Sequence, residues 1–271
     1  MTDATAGELI AYLTGIGVRG PGLEDWPQTE AVLSGRQVHQ AAETLLPAPE
    51  NLPPTERRRS GRVVRLAFAI GLEATRRSGA DPARLPMVFA SSSGDGDNCH
   101  EICETLASAS RALSPTRFHN SVHNAPAGYW SIAAATQVQS TTVCAYDASF
   151  AAGLLEAMTQ VVGNASSVAL LAYDIDYPPP LRAARKVSAA FGLALVLQAG
   201  ASPQALAQVR VRIATGVAGR LENADLETMR ATIPAAQGLV LLQAVAMRGA
   251  TTVNIAYLGE QLLRVTVTPC A

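Results

Sequence analysis

The sequence predicts an α/β protein built around a mostly parallel sheet that helices cover on both faces. The clearest pattern lies in residues 141–173, where a strand, an alanine-rich helix and a second apolar strand follow one another. Hydrophobic residues make up 48% of the 271 residues, and charged residues only 16%. Such a composition excludes intrinsic disorder and supplies a sizeable core for one large domain or two.

Charge and cysteine content exclude several classes of protein. The net charge is −1, from 21 Lys and Arg against 22 Asp and Glu, whereas proteins that track nucleic-acid phosphates carry a basic excess. No apolar run approaches the roughly 20 residues that cross a bilayer, and residues 1–8 lack the features of a signal peptide. Four cysteines are too few for a disulfide framework. We therefore expect a soluble cytoplasmic protein with free thiols, no membrane insertion and no nucleic-acid partner. Its sparse surface charge also predicts a face covered by a partner.

The first half of the chain alternates apolar segments with glycine- and proline-rich breaks. Apolar and β-branched runs that end at such breaks predict strands, and apolar residues recurring on one helical face predict helices. In order, the pattern predicts a buried strand at 9–18, a proline-rich loop at 47–54, a helix from Ser60 to near Gly79, a strand at 85–90 and a helix over about 98–113. Ile102, Leu106 and Leu113 are expected to face inward from the last of these helices.

The second half continues the alternation and then becomes more antiparallel. A helix of small residues is predicted at 124–135, a strand at 141–146, a helix at 151–162 and an apolar strand at 167–173. Beyond three consecutive prolines at 178–180, strands are predicted at 191–198 and 208–215, mostly helix at 226–247, and a hairpin from 251–256 and 261–268. The end of the chain is therefore expected to form a smaller, more antiparallel portion.

Generic catalytic motifs are absent from the sequence. It contains no phosphate-binding loop, no dinucleotide-binding glycine pattern, no nucleophile elbow and no His-Glu-x-x-His. The loop Gly94-Asp95-Gly96-Asp97 is glycine-rich but acidic, so a tight turn between a strand and a helix is the favoured interpretation. Arg57-Arg58-Arg59 predicts a solvated helix start, with contact to an acidic carrier protein as the alternative.

Two pairs of side chains four residues apart are candidate sites. Cys99 and Cys103 offer two thiolates to a metal, but zinc takes about four ligands and no second pair follows. Semi-buried thiols on a helix are therefore favoured, and neither a metal nor a cofactor is expected. His119 and His123 are expected to share a helical face, where paired imidazoles transfer protons or bind metal. The alternative is that they, with neighbouring asparagines, hydrogen-bond the backbone around a turn.

One block of sequence resembles a known family. Residues 124–132 read Asn-Ala-Pro-Ala-Gly-Tyr-Trp-Ser-Ile, and a strand then leads through Asp-Ala-Ser-Phe-Ala-Ala-Gly-Leu at 147–154 into a helix. This block resembles the N-terminal half of the β-ketoacyl synthases, which have the thiolase-like fold, a layered αβα sheet. The resemblance extends more diffusely over about 10–200. It implies a ketosynthase-like N-terminal half over 1–200 and a degenerate C-terminal portion, 201–271, packed on the same domain.

The same block departs from that family where the chemistry is done. In the family, a nucleophilic cysteine stands at the start of the helix, and aligning Asp147 and Gly153 puts Phe150 at that position. Phenylalanine cannot attack a thioester. Cys144 is expected inside the preceding strand, buried and away from the helix dipole, and Ser149 lies one residue out of register. The two histidines of the family's C-terminal half have no counterpart, because all four histidines precede Phe150.

A ketosynthase-like chain without these groups resembles a chain-length factor, and its short form resembles the subunits of aryl polyene and xanthomonadin-type pigment pathways. The resemblance implies a non-catalytic subunit that forms a heterodimer with an active ketosynthase. This subunit would act in elongation of carrier-protein-bound polyene or fatty acyl chains and meet the acyl carrier protein through the complex. The candidates for lining the acyl tunnel or the interface are Phe118, His119, His123, Tyr129, Trp130 and Phe150. For the aromatic residues among them, plain core or interface packing is the alternative.

Two other functions stay open at this point. The first is an autonomous thioesterase- or acyltransferase-like enzyme that uses Cys144 or Ser149 as nucleophile with His119 or His123 as base. It requires an activity that is present without any partner. The second is a homodimeric module that binds acyl thioesters or another small molecule, which requires a stable homodimer with a filled internal cavity.

Overall fold

The computed structural model describes residues 7–164 and 166–270, and within these ranges it contains one eight-stranded sheet. The strands are β1 (Leu9–Arg19), β2 (Met87–Ala90), β3 (Ser140–Val143), β4 (Ser167–Asp174), β5 (Phe191–Gln198), β6 (Ala207–Thr215), β7 (Thr251–Ala256) and β8 (Gln261–Pro269). The helices are α1 (Trp26–Leu33), α2 (Pro54–Arg59), α3 (Arg62–Ser78), α4 (Gly96–Ala107), α5 (Pro115–His119), α6 (Ala125–Ala133), α7 (Ser149–Asn164), α8 (Pro179–Ala184), α9 (Ala224–Thr232) and α10 (Leu239–Ala246). Two 3₁₀ segments, Tyr146–Ala148 and Pro234–Gly238, complete the secondary structure.

The strands lie in the order β3-β2-β4-β5-β1-β6-β8-β7. The pairs β2–β3 and β2–β4 are parallel, whereas the other five pairs of neighbouring strands are antiparallel. The prediction of a mostly parallel sheet is therefore wrong. A physical reason lies in the connection from β4 to β5, where α8 has six residues and spans about 9 Å. The eight residues of β4 extend about 26 Å, so α8 is too short to return the chain for a parallel crossover.

Helices cover the sheet on both faces, so the predicted αβα layering is confirmed. On one face α3 and α6 bury a cluster that includes Phe68 and Trp130. On the other face α7, α1, α10 and Pro234–Gly238 bury a larger cluster that includes Phe150. The α3 helix lies directly on β1, because a Cβ at Gly17 would stand 2.0 Å from the Ile70 carbonyl oxygen. Glycine is required there for the close approach.

The helix predicted over 98–113 ends early. In the structure α4 stops at Ala107, because Ser108 and Ser110 bond to neighbouring backbone groups in place of a further helical turn. Leu106 consequently faces solvent, and Ile102 and Leu113 are only half-buried. The expectation that these residues face inward is wrong for Leu106.

Candidate functional site

The start of α7 is where the resemblance predicts a catalytic nucleophile, but the sequence has no nucleophilic residue at that position. The chain leaves β3, passes through the 3₁₀ segment Tyr146–Ala148 and enters α7 at Ser149. The Ser149 hydroxyl donates to the Tyr146 carbonyl at 2.7 Å and accepts from the Ala145 N–H at 3.0 Å. Ser149 is buried and both bonds hold the turn together. It is therefore not available to attack a substrate.

Phe150 is fully buried in the first turn of α7. A Cβ at Gly238 would stand 2.7 Å from Phe150 Cζ and 2.4 Å from Leu193 Cδ2, so the ring lies against the backbone of Pro234–Gly238. Because Gly238 has no side chain, the aromatic ring fills this space. The first turn of α7 therefore presents packed hydrocarbon where nucleophilic catalysis needs a group that a base can activate.

Cys144 lies one residue beyond β3, and it is exposed. Its thiol donates to the Ser92 carbonyl at 3.3 Å. The expectation that Cys144 is buried inside the strand is wrong, because the ladder with β2 ends at the pair Ala90 and Val143. The thiol is accessible, but its hydrogen-bond partner is a carbonyl oxygen and not a base.

His119 and His123 do not share a helical face. His119 is the last residue of α5 and is exposed, whereas His123 lies in the turn before α6. The Asn120 amide donates to the Arg59 carbonyl at 2.9 Å, so it ties this segment to the end of α2 and does not close a turn of its own. Within the described residues, no hydrogen bond joins either histidine to Cys144 or Ser149. The geometry therefore does not assemble the nucleophile and base of an autonomous acyl-thioester enzyme.

The His123 ring packs over Gly94, a glycine with a left-handed φ of 65°. Burial lowers the pKa of His123, and a hydrogen bond to the Ser91 backbone partly opposes this effect. Asp95 next to it caps α4, accepting the Asn98 N–H at 3.0 Å. The glycine-rich acidic loop is thus the tight turn that the sequence predicts.

The aromatic candidates divide between the core and the surface. Trp130 packs against Phe68 with ring centroids 5.3 Å apart, and Tyr129 is buried and donates its hydroxyl hydrogen to Asn120 Oδ1 at 2.9 Å. Phe118 is 68% exposed. Of the six candidates for the tunnel or interface, Tyr129, Trp130 and Phe150 are therefore core residues, and Phe118 and His119 lie on the surface.

Asp174, at the end of β4, is a buried carboxylate that the sequence interpretation missed. It accepts hydrogen bonds from the Ser92 N–H and hydroxyl, both at 2.8 Å, and from the Ala235 N–H at 2.9 Å. Burial raises the pKa of Asp174, and these donors oppose that rise. The carboxylate joins the loop after β2 to Pro234–Gly238. An acidic residue at the end of an otherwise apolar strand, directly after Tyr173, was the available signal.

Cys99 and Cys103 lie on the exposed side of α4. Burial and the neighbouring Cys103 thiol raise the pKa of Cys99, so the thiol is its favoured form. Among residues 7–164 and 166–270, no three His, Cys, Asp or Glu side chains are close enough to hold a metal ion. In the same ranges, no helix combines the length and apolar character that crossing a membrane requires.

Five apolar side chains in the stretch of chain between β2 and β3 are exposed: Leu106, Phe118, Val122, Ile132 and Val138. We call this set the 106–138 patch. The stretch leads into β3, which is the terminal strand of the sheet. Met87 and Ser91 donate their N–H groups to the Gln139 and Val143 carbonyls. Successive residues of a strand direct their backbone N–H and C=O groups to opposite edges. Since Gln139 and Val143 face β2, the backbone groups of Ser140 and Thr142 face the open edge.

Comparison with known proteins identifies the family. The model for the β-ketoacyl synthase N-terminal domain matches residues 25–256. The chain belongs to this family. Among curated proteins, none matches the sequence significantly.

Solved structures show the same ketosynthase fold. The ketosynthase ApeO in complex with its chain length factor ApeC from Xenorhabdus doucetiae matches with a TM-score of 0.73 and 22% identity, over 95% of this chain and 99% of that one. The AntDE:AntF complex of a type II polyketide synthase acyl-carrier protein with its ketosynthase matches with a TM-score of 0.75 and 11% identity, over 97% and 100% of the two chains. The ishigamide ketosynthase/chain length factor matches with a TM-score of 0.71 and 14% identity, over 98% and 100%. At these identities the ketosynthase-family fold is what the likeness establishes.

Proposed function

We propose that this chain is a non-catalytic, chain-length-factor-type subunit that pairs with an active β-ketoacyl synthase. The observation that carries the proposal is Phe150, which is fully buried in the first turn of α7 where a ketosynthase-family nucleophile is expected. The hydroxyl of Ser149 is committed to the turn, and the Cys144 thiol donates to a carbonyl oxygen and is hydrogen-bonded to no base among the described residues. With no independent condensing activity, the chain acts through a partner.

The proposed pairing surface combines the 106–138 patch with the open edge of β3. Exposed apolar side chains that form one surface are typical of protein interfaces, and we propose that those of residues 106–138 do so. A ketosynthase subunit is the occupant we propose, because similar folds occur in complexes of a ketosynthase with its chain length factor. The acyl carrier protein reaches this chain through the complex, since one similar structure contains a carrier protein with its ketosynthase.

We propose that the substrate is a carrier-bound polyene or fatty acyl chain, of the kind made in aryl polyene and xanthomonadin-type pathways. The cytoplasm is the proposed compartment, because Cys99, Cys103, Cys144 and Cys270 are all free thiols, as in a reducing environment. The six candidates from Phe118 to Phe150 remain proposed tunnel or interface residues. The buried ones act by shaping the interior and the exposed ones by contacting the partner.

Co-expression with an active β-ketoacyl synthase from the same genome tests the proposal. We expect the two chains to co-purify as a heterodimer, measured by light scattering after size exclusion. A stable homodimer that does not bind the ketosynthase would favour a homodimeric binding module instead. Incubating the isolated chain with acyl thioesters is expected to leave Cys144 and Ser149 unmodified, and an acyl group found on either by mass spectrometry would overturn the non-catalytic assignment.

A matched pair of variants locates the pairing surface. Val122, in the 106–138 patch, is 53% exposed, and Val217, beyond β6, is 82% exposed. Val122→Asp places a charge in the proposed interface and is expected to abolish co-purification, because an unpaired buried charge costs several kcal/mol. Val217→Asp is expected to leave pairing unchanged. Equal pairing by both variants would place the interface elsewhere.

A further inference from the structure

A small cavity lies beside the 3₁₀ segment Tyr146–Ala148, where the chain after α8 meets the end of α9. Its volume is about 190 Å³, and its lining includes Asp147, Arg185, Lys186, Arg230 and Gln237. Pockets for drug-sized organic ligands start at about 300 Å³. The cavity therefore suits a small chemical group.

The lining of this cavity is positively charged. Three cations and one carboxylate line it, and with Glu227, which pairs with Arg230 from outside the lining, one net positive charge remains. Arg230 is held by Glu227 through two hydrogen bonds of 2.7 Å, and Arg185 is paired with Asp147. Lys186, the only lysine of the sequence, is exposed and has no carboxylate within 4.0 Å in the described part of the chain. One cation of the cavity is thus without a counter-ion.

Arg185 is held rigidly in place. Its guanidinium lies 3.9 Å from the centroid of the Tyr146 ring and donates to the Tyr177 hydroxyl at 2.9 Å. The Arg185 side chain is only 18% exposed, whereas its partner Asp147 is 64% exposed. A competing anion can therefore displace the exposed carboxylate while the guanidinium stays in position. A positioned donor loses little conformational entropy when a ligand binds.

We propose that this cavity binds a small phosphate-type oxyanion. Guanidinium and ammonium groups are the side chains that bind phosphate best, through charge-assisted hydrogen bonds. Lys186 supplies the unpaired charge, and Arg185 and Arg230 supply fixed donors. The anion is either free phosphate or the phosphate end of a larger ester. The proposal concerns the chain by itself and does not depend on pairing with a ketosynthase.

Isothermal titration calorimetry of the full chain tests it, with inorganic phosphate and with butyl phosphate as separate ligands at constant ionic strength. Lys186→Ala is expected to weaken binding about tenfold, as the loss of one charge-assisted bond. Arg212→Ala is the matched control, because Arg212 is an exposed cation of β6 without an ion pair in the described residues. It removes the same charge from another surface and is expected to change binding less than about twofold.

The two ligands distinguish the sources of the anion. Saturable binding of inorganic phosphate supports a site for the free ion, and saturable binding of butyl phosphate alone supports a site for an ester. Absence of saturable binding by either ligand up to about 10 mM would overturn the proposal. An equal weakening by Arg212→Ala would also overturn it, because the binding would then follow net charge and not this cavity.

Discussion

The core has room for the large Phe150 ring because Gly238, which lies against it, has no side chain. Phe150→Ala is expected to lower the free energy of unfolding by about 3–5 kcal/mol, because it removes buried hydrocarbon and leaves a cavity beside Leu193. Urea unfolding with an unchanged m-value measures the loss. Phe118→Ala is the control, since Phe118 is 68% exposed and its truncation is expected to cost no more than about 0.5 kcal/mol. Similar losses in both variants would show that Phe150 is not a core residue.

His123 gives a residue-scale prediction about pH. Burial lowers its pKa, so between that value and the ordinary value of about 6.5 the unfolded chain binds more protons than the native one. The stability contributed by neutral His123 is therefore complete above about pH 6.5 and is lost as the pH falls through the native pKa. Unfolding free energies measured across this range are expected to fall less steeply with acidification in His123→Gln than in the wild type.

His119→Gln is the control for this pH dependence, because His119 is exposed at the end of α5. It is expected to keep the slope of the wild type. A His123→Gln curve that stays parallel to the wild-type curve would contradict the effect of burial on His123.

At the residue scale, local patterns were readable from the sequence and distant partners were not. The position of Phe150 at the start of a helix follows from a strand, an acidic turn and an alanine-rich segment that are adjacent in the chain. The exposure of Cys144 depends on where β2 ends, more than fifty residues away. The role of Asp174 likewise depends on Ser92 and Ala235, which only the folded chain brings to it.

The element that the pairing proposal depends on most is β3, whose outer side is unpaired. Thr142 faces its N–H toward this open edge, so Thr142→Pro removes that donor without breaking the ladder to β2. If the partner adds a strand here, losing one hydrogen bond worth about 0.5–1.5 kcal/mol is expected to weaken pairing about 2- to 10-fold. The measurement is the dissociation constant of the complex with its ketosynthase.

Thr142→Ala is the matched control, because it shortens the same side chain and keeps the N–H group. Pairing is expected to change little in this variant. If Thr142→Pro pairs as well as Thr142→Ala, the partner contacts the 106–138 patch without adding a strand to β3.

At the scale of elements, hydrophobic periodicity predicted the positions of helices and strands well, but it did not predict whether neighbouring strands are parallel or antiparallel. The strands at 9–18, 167–173 and 191–198 and the helix after Ser60 are present within a few residues of their predicted limits. Alternation of strands and helices does not reveal that β4 and β5 are antiparallel, because that depends on the length of α8. The end of α4 was also missed, since Ser108 and Ser110 stop the helix through local hydrogen bonds.

At the scale of the whole molecule, the low content of charged residues raises the question of which face a partner covers. The sheet has two edges, and apolar side chains are exposed near both: Val217 and Leu258 lie beside β7, and the 106–138 patch precedes β3. Charged side chains and proline protect an edge strand from pairing, and neither β3 nor β7 carries either. The pairing proposal puts the covered face on the β3 side, and the comparison of Val122→Asp with Val217→Asp decides between the two edges.

The last prediction concerns the division of the chain near residue 200, which remains a prediction. Strand β1 lies between β5 and β6, and α10 and β8 share the core that contains Leu13 and Phe150. A fragment of residues 1–200 loses β6 to β8, which leaves β1 as an open, hydrophobic edge. We expect the full chain to unfold in one cooperative transition in urea, measured by circular dichroism. The fragment is expected either to aggregate or to show no cooperative transition. A soluble fragment with its own cooperative transition would mean that residues 201–271 form a separate unit and are not part of the same domain.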